Sequence, residues 1–167
     1  MSSRLLAAAA CAVVSLAPGC SSDDAPVAAL DVELAGVGGA SASLADFAGT
    51  ALVVNLWATW CAPCVAEMPA FDAVAADLAA GGSEITVLGV NVGDSAEEAA
   101  AFAGDLGISY PILTDPDGRL STALGVTGLP ATAFIAADGG LVGIHSGAYT
   151  EPQLQAAIAE HFGDGAP

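Results

Sequence analysis

A chain of 167 residues suits one domain with a real core and is too short for two comfortable ones. With 54% hydrophobic and only 13% charged residues, disorder is excluded as the general state. The formal net charge of −17, from 19 acidic residues against Arg4 and Arg119 alone, repels phosphate backbones and anionic lipid and so excludes a nucleic-acid binder.

In chain order, "MSSRLLAAAACAVVSLAPGC" (1–20) comes first. Its apolar run from Leu5 to Ala17 is too short for a bilayer, which takes ~20 residues, and has the length of a signal-peptide core. "LAPGC" then gives way to the polar "SSDDAP". The boundaries expected are a leader over 1–20, a linker over 21–27, a folded domain over 28–163 and a tail over 164–167. The end of the leader resembles the lipobox of bacterial lipoproteins, with Ala17 and Pro18 where leucine and a small residue are commoner. That resemblance implies lipid attachment at Cys20 and anchoring to the outer face of the bacterial cytoplasmic membrane. Simple secretion, with Cys20 left as a free thiol, is the competing reading. Both place the domain outside the cytoplasm and discard Cys11, which leaves Cys61 and Cys64. A disulfide between residues so close removes little unfolded-state entropy, so a chemical purpose is expected for the pair.

"LDVELAGVGGASASLADF" alternates around a glycine-rich turn and predicts an entry hairpin. "ALVVNLWA" (51–58) and "EITVLGVNV" (84–92) are apolar runs of strand length, suited to strands buried on both faces. Helical periodicity covers 64–80 up to Gly81-Gly82. A second helix is expected over 95–107 with Ser95 as its cap and Glu97 and Glu98 in its first turn. A short strand within 110–118, a helical turn over 120–126, a hairpin over 131–147 around Asp138-Gly139-Gly140, and a helix over 150–162 capped by Thr150 complete the order. The fold class expected is α/β with a mixed central sheet flanked by helices.

Cys61 falls where the 64–80 helix begins. Backbone N–H groups and the positive end of the dipole there lower a thiol pKa from about 8.5 and make a nucleophile. Cys64, one turn in, is expected to be shielded and to act as the resolving thiol. Pro63 is acceptable because first-turn N–H groups have no intrahelical acceptor. A zinc half-site is the rival reading; it needs four ligands, and His145 and His161 lie far from the pair and from each other, so no metal is expected. Glu67 shares the helix face of Cys64, one turn deeper, where desolvation would raise its pKa and let it accept the Cys64 proton.

"WCAPC" after a buried strand, followed about 65 residues later by "TGLPATAFI", resembles the thioredoxin superfamily over essentially the whole mature chain. "VVNLWATWCAPCVAEMP", the entry hairpin and "YPILTDPDG" resemble its TlpA/ResA/DsbE branch of membrane-tethered thiol-disulfide oxidoreductases. The resemblance implies a cis Leu129–Pro130 bond beside the dithiol and a Leu129 backbone that pairs with the partner chain. Trp60, Ala62 and Pro63 would complete the substrate contact. Asn55 stands where thioredoxin has a buried acid, so Glu67 or water must serve as base. The function implied is a protein disulfide reductase fed by a membrane thiol-disulfide carrier, with oxidised cysteine motifs of apocytochrome c or copper-site proteins as substrates. The same fold run backward as a disulfide oxidase is the alternative, and a thiol peroxidase or a copper chaperone are more distant ones. No nucleotide, flavin or haem signature is visible, so no cofactor is expected, and a monomer is.

Overall fold

Strand β3 (Ala51–Trp57) sets the architecture, because its seven residues are buried almost throughout. Alternate side chains enter two different cores: Val53 and Trp57 one, Leu52, Val54 and Leu56 the other. The computed structural model describes residues 29–36 and 39–163. The leader over 1–20, with Cys20, the linker over 21–27 and the tail over 164–167 lie outside those residues.

The chain forms β1 (Leu34–Gly36), β2 (Ser41–Ala42), a 3₁₀ helix (Leu44–Phe47), β3, α1 (Ala62–Ala80) and β4 (Ile85–Val92). It continues through α2 (Ala96–Asp105), β5 (Ile112–Asp115), α3 (Arg119–Ala123), β6 (Ala131–Ile135), β7 (Leu141–Ser146) and α4 (Glu151–Phe162). The seven strands lie in the order β2-β1-β5-β4-β3-β6-β7. β3 and β5 each pair parallel with β4, while β1 pairs antiparallel with β2 and β5, and β6 with β3 and β7. Side chains of α1, α2 and α4 fill the core on one face of the sheet, among them Phe71, Ala99, Leu154 and Ile158. The 3₁₀ helix and α3 cover the other with Leu44 and Leu120. Among the described residues no helix is long and apolar enough to cross a membrane.

The mixed sheet, the entry hairpin and every expected strand and helix are present. The boundaries differ where local chemistry intervenes. α1 starts at Ala62 rather than at residue 64, because Pro63 fits a first turn that needs no N–H donor there; Cys61 becomes the N-cap. The helix continues through Pro69 to Ala80. α2 is capped as expected: Ser95 Oγ accepts the Glu98 N–H, and the Glu98 carboxylate accepts the Ser95 N–H at 3.0 Å. Arg119 opens α3. Asp115 ends β5 and accepts the N–H groups of Arg119, Leu120 and Ser121, which stops the strand short and starts that helix.

Gly89, in the middle of β4, admits three neighbours that a side chain would displace. A Cβ there would lie 2.8 Å from the Tyr110 ring, 3.2 Å from Ile112 Cγ1 and 3.3 Å from Trp57 Nε1. Tyr110 and Trp57 are buried and have no room to swing away. Gly89→Ala is expected to cost about 1–3 kcal/mol in urea unfolding. An unchanged midpoint would show that the Tyr110 ring yields freely.

Candidate active site: a dithiol backed by a buried carboxylate

The chain leaves β3 at Trp57, turns over residues 58–61, with the Cys61 N–H donating to the Ala58 carbonyl, and enters α1. Cys61 and Cys64 are joined, with S–S 2.03 Å and Cα–Cα 5.3 Å. Cys61 keeps 6% of its surface exposed and Cys64 none, so a partner meets Cys61 first. Around them Trp60 (70% exposed), Ala62 and Pro63 face solvent.

A hydrogen bond from the Thr59 N–H to Asp94 Oδ2, at 2.8 Å, holds the turn from outside. Asp94 is itself fixed by Asn91, whose Nδ2 donates to the same oxygen at 2.8 Å. On the opposite side, Leu56 pairs with Ala131, so antiparallel β6 brings Pro130 and Leu129 level with residues 57 and 58. The Leu129–Pro130 peptide is cis, Pro130 is buried and Leu129 half-buried. The fold therefore gathers Trp60, Cys61, Ala62, Pro63, Cys64, Leu129 and Pro130 at one end of the sheet.

Glu67 lies one turn beyond Cys64 and is only 2% exposed. Its Oε1 accepts from Asn55 Nδ2 and its Oε2 from the Tyr149 N–H, each at 2.8 Å. Burial pushes its carboxyl up from 4.5 to about 7, against the lowering effect of the Tyr149 and Asn55 donors. Asn55 Oδ1 in turn accepts from the Tyr110 hydroxyl at 3.3 Å. Burial first, then the charges of Glu67 and Asp72, hold the Tyr110 phenol far above its ordinary range, so it remains a donor.

Sequence reasoning placed Glu67 behind Cys64 and missed the residues that hold it. Nothing local marks Tyr149 or Tyr110, which come from segments 82 and 55 residues away from their partners. Asp94 was equally invisible, although "NVGD" after a buried strand offers a side-chain carboxylate at the same sheet end as the dithiol. Both histidines pack against aromatic rings: His145 stacks on Tyr149 at 4.1 Å, and His161 lies tilted against Phe134 at 4.3 Å. No cluster of metal-ligating side chains occurs among the described residues.

Glu67 also fixes a pH dependence. Between 4.5 and about 7 the folded protein holds a proton that the unfolded chain has released, so stability falls as pH rises through that window and levels off above it. Oxidised Glu67→Gln lacks this loss. Its unfolding free energy should gain on the order of 3 kcal/mol on wild type between about pH 4 and pH 8. A difference that stays flat across the range, measured by urea unfolding, would mean an ordinary, hydrated carboxylate.

The redoxin family profile matches residues 20–158. The thiol-disulfide oxidoreductase ResA of Geobacillus thermodenitrificans is 33% identical over 125 residues, which cover 75% of this chain and 71% of that protein. Among solved structures, DsbF from MTB, in mixed oxidised and reduced forms, superposes with a TM-score of 0.71 at 26% identity over 80% of this chain and 96% of that one. The exposed lipoprotein thioredoxin Etrx1 of Streptococcus pneumoniae gives 0.63 at 32% identity, over 77% and 98% of the two chains. With the paired cysteines at the helix start, these likenesses place the chain in the redoxin family, as a thioredoxin-fold thiol-disulfide oxidoreductase of the ResA/DsbE/TlpA kind.

Proposed function

We propose that this oxidoreductase works outside the cytoplasmic membrane as a protein disulfide reductase. The observation that carries the reading is the buried Glu67 carboxylate one turn behind Cys64, with a pKa of about 7. In a reductase the Cys61 thiolate attacks a partner disulfide, forming a mixed disulfide and expelling one partner thiolate. Cys64 then gives its proton to Glu67 and attacks the Cys61 sulfur, which releases the second partner thiolate and leaves Cys61–Cys64 oxidised. A base with a pKa near neutrality matches that second step. When a donor dithiol reduces the pair again, Glu67 returns the proton to the departing Cys64 thiolate, so the cycle closes without a net proton on the carboxylate.

In this reading Trp60, Ala62 and Pro63 form the contact surface, and the Leu129 backbone pairs with the partner chain beside Pro130. Tethering through lipid on Cys20 is part of the same proposal, supported by the apolar leader ending in "LAPGC" and by likeness to a pneumococcal exposed lipoprotein. Electrons would come from a membrane thiol-disulfide carrier. Oxidised cysteine motifs of apocytochrome c or copper-site proteins are the substrates proposed.

Equilibration with defined dithiol buffers tests the direction. A reductant should sit near about −270 mV, whereas a value near about −120 mV would reverse the reading to a disulfide donor. The division of labour is separately measurable. Cys64→Ala should accumulate a mixed disulfide on Cys61, and Cys61→Ala should not. Glu67→Gln should slow release of the partner on the order of 10²-fold near neutral pH while leaving the initial attack unchanged. Equal slowing of both steps would remove Glu67 from the proton transfer.

A further inference from the structure

We propose that Gly147 is a positioning residue for the proton acceptor: it anchors the segment 147–149 to the Leu129–Pro130 loop and so holds the Tyr149 N–H on Glu67. The inference rests on the reading of Glu67 as acceptor of the Cys64 proton and adds to it the residue that places its backbone donor.

Two hydrogen bonds define the segment. The Gly147 N–H donates to the Pro130 carbonyl at 2.9 Å, and two residues later the Tyr149 N–H donates to Glu67 Oε2 at 2.8 Å. One short stretch of backbone therefore touches both the loop beside the dithiol and the carboxylate behind it. Its far end is fixed as well, because Thr150 caps α4 and its N–H donates to Gln153 Oε1 at 3.0 Å. Rings hold Tyr149 from the sides: His145 stacks on it at 4.1 Å, and Phe71 and Phe134 lie at 6.5 and 6.4 Å. Those contacts fix the side chain, whereas the aim of the N–H follows the peptide plane and so the dihedrals before it.

Gly147 has φ +114°, a value that L side chains rarely adopt. A Cβ there would meet only His145 Nε2, at an ordinary 3.7 Å, so conformation and not space reserves the position for glycine. Any side chain makes the backbone rotate two residues ahead of the donor. Burial is the largest influence on Glu67 and the Tyr149 donor the first that opposes it, so a displaced N–H leaves the carboxyl more reluctant to ionise. The other ionisable groups around the site are the Tyr110 phenol, which reaches it through Asn55, the Tyr149 phenol, and His145 on the Tyr149 ring. Asp72 holds the Ser109 and Tyr110 N–H groups, and Glu160 lies on the outer side of Tyr149. Substitution at Gly147 replaces none of them.

An NMR titration of the Glu67 carboxyl carbon in the oxidised protein, without substrate, tests this; Glu67→Gln assigns the signal by its loss. The midpoint, about 7 in the wild type, should rise to about 8 in Gly147→Ala, as loss of a hydrogen bond to a charged group requires. Gly147→Asn, whose side chain tolerates a positive φ better, should move it the same way by less. Gly49→Ala is the matched control: its φ is +89°, nothing lies within 4 Å of a Cβ there, and its N–H donates to the Ala137 carbonyl at the other end of β6. That variant should lose stability in urea yet keep the midpoint at about 7. An unmoved midpoint in both Gly147 variants, or an equal rise in Gly49→Ala, would overturn the positioning. The titration involves no partner and so stands apart from the reductase reading. If the midpoint rises while partner release stays indifferent to it, that reading of Glu67 fails and the role of Gly147 in holding the carboxylate survives.

Discussion

Burying one carboxylate organises this structure. Glu67 in α1 is reached by Asn55 from β3 and by the Tyr149 backbone from the segment before α4, while Tyr110, ahead of β5, braces Asn55. Two other segments thus donate to the two oxygens, and a third braces one of the donors. Burying an ionised carboxylate without partners is among the costliest substitutions a core can carry. Here both oxygens have donors, yet desolvation still outweighs them, and the balance leaves the group titrating near neutrality. A few more donors would have made it a permanent anion, and none would have made it a permanent acid.

The nucleophile's position follows from the same packing. α1 docks on the sheet through Met68, Phe71, Val74 and Leu78, which fixes where its first turn meets the end of β3. Cys61 as N-cap then faces N–H groups with no intrahelical partners, while Cys64 lies in the core beside Glu67's face of the helix. Asp94 secures the turn from outside through a backbone N–H, leaving Trp60 free to stay exposed. One half of the dithiol therefore keeps some exposed surface, while the other is closed off in the core.

The elements and the dithiol were legible in the sequence because they rest on short-range signals. The run "ALVVNLW" is long enough for a strand and too short for a typical helix, Ser95 and Glu98 form a capping box, and two glycines close the first long helix. Glu67 was legible from helical spacing alone. Its partners were not: Asn55 announced only the absence of a buried acid, and Tyr149 contributes a backbone N–H that any residue would supply. Asp94 and the role of Asp115 in ending β5 depend on where the sheet delivers neighbouring loops, which periodicity does not encode.

Asn55 gives the site its simplicity. An acid at that position would lie within hydrogen-bonding distance of Glu67, and two buried carboxylates so close titrate as a coupled pair, one of them held protonated well above neutrality. The amide instead donates to Glu67 and accepts from Tyr110, joining a carboxylate to a phenol that does not ionise near neutrality. Only one buried group behind Cys64 therefore changes charge near neutral pH. The charge state of that group depends on how dry the Glu67 site remains, since burial is the largest cause of its raised pKa. Tyr149, whose N–H reaches Glu67, packs its ring against Phe71 on the helix and Phe134 on the sheet, both fully buried and without chemistry of their own.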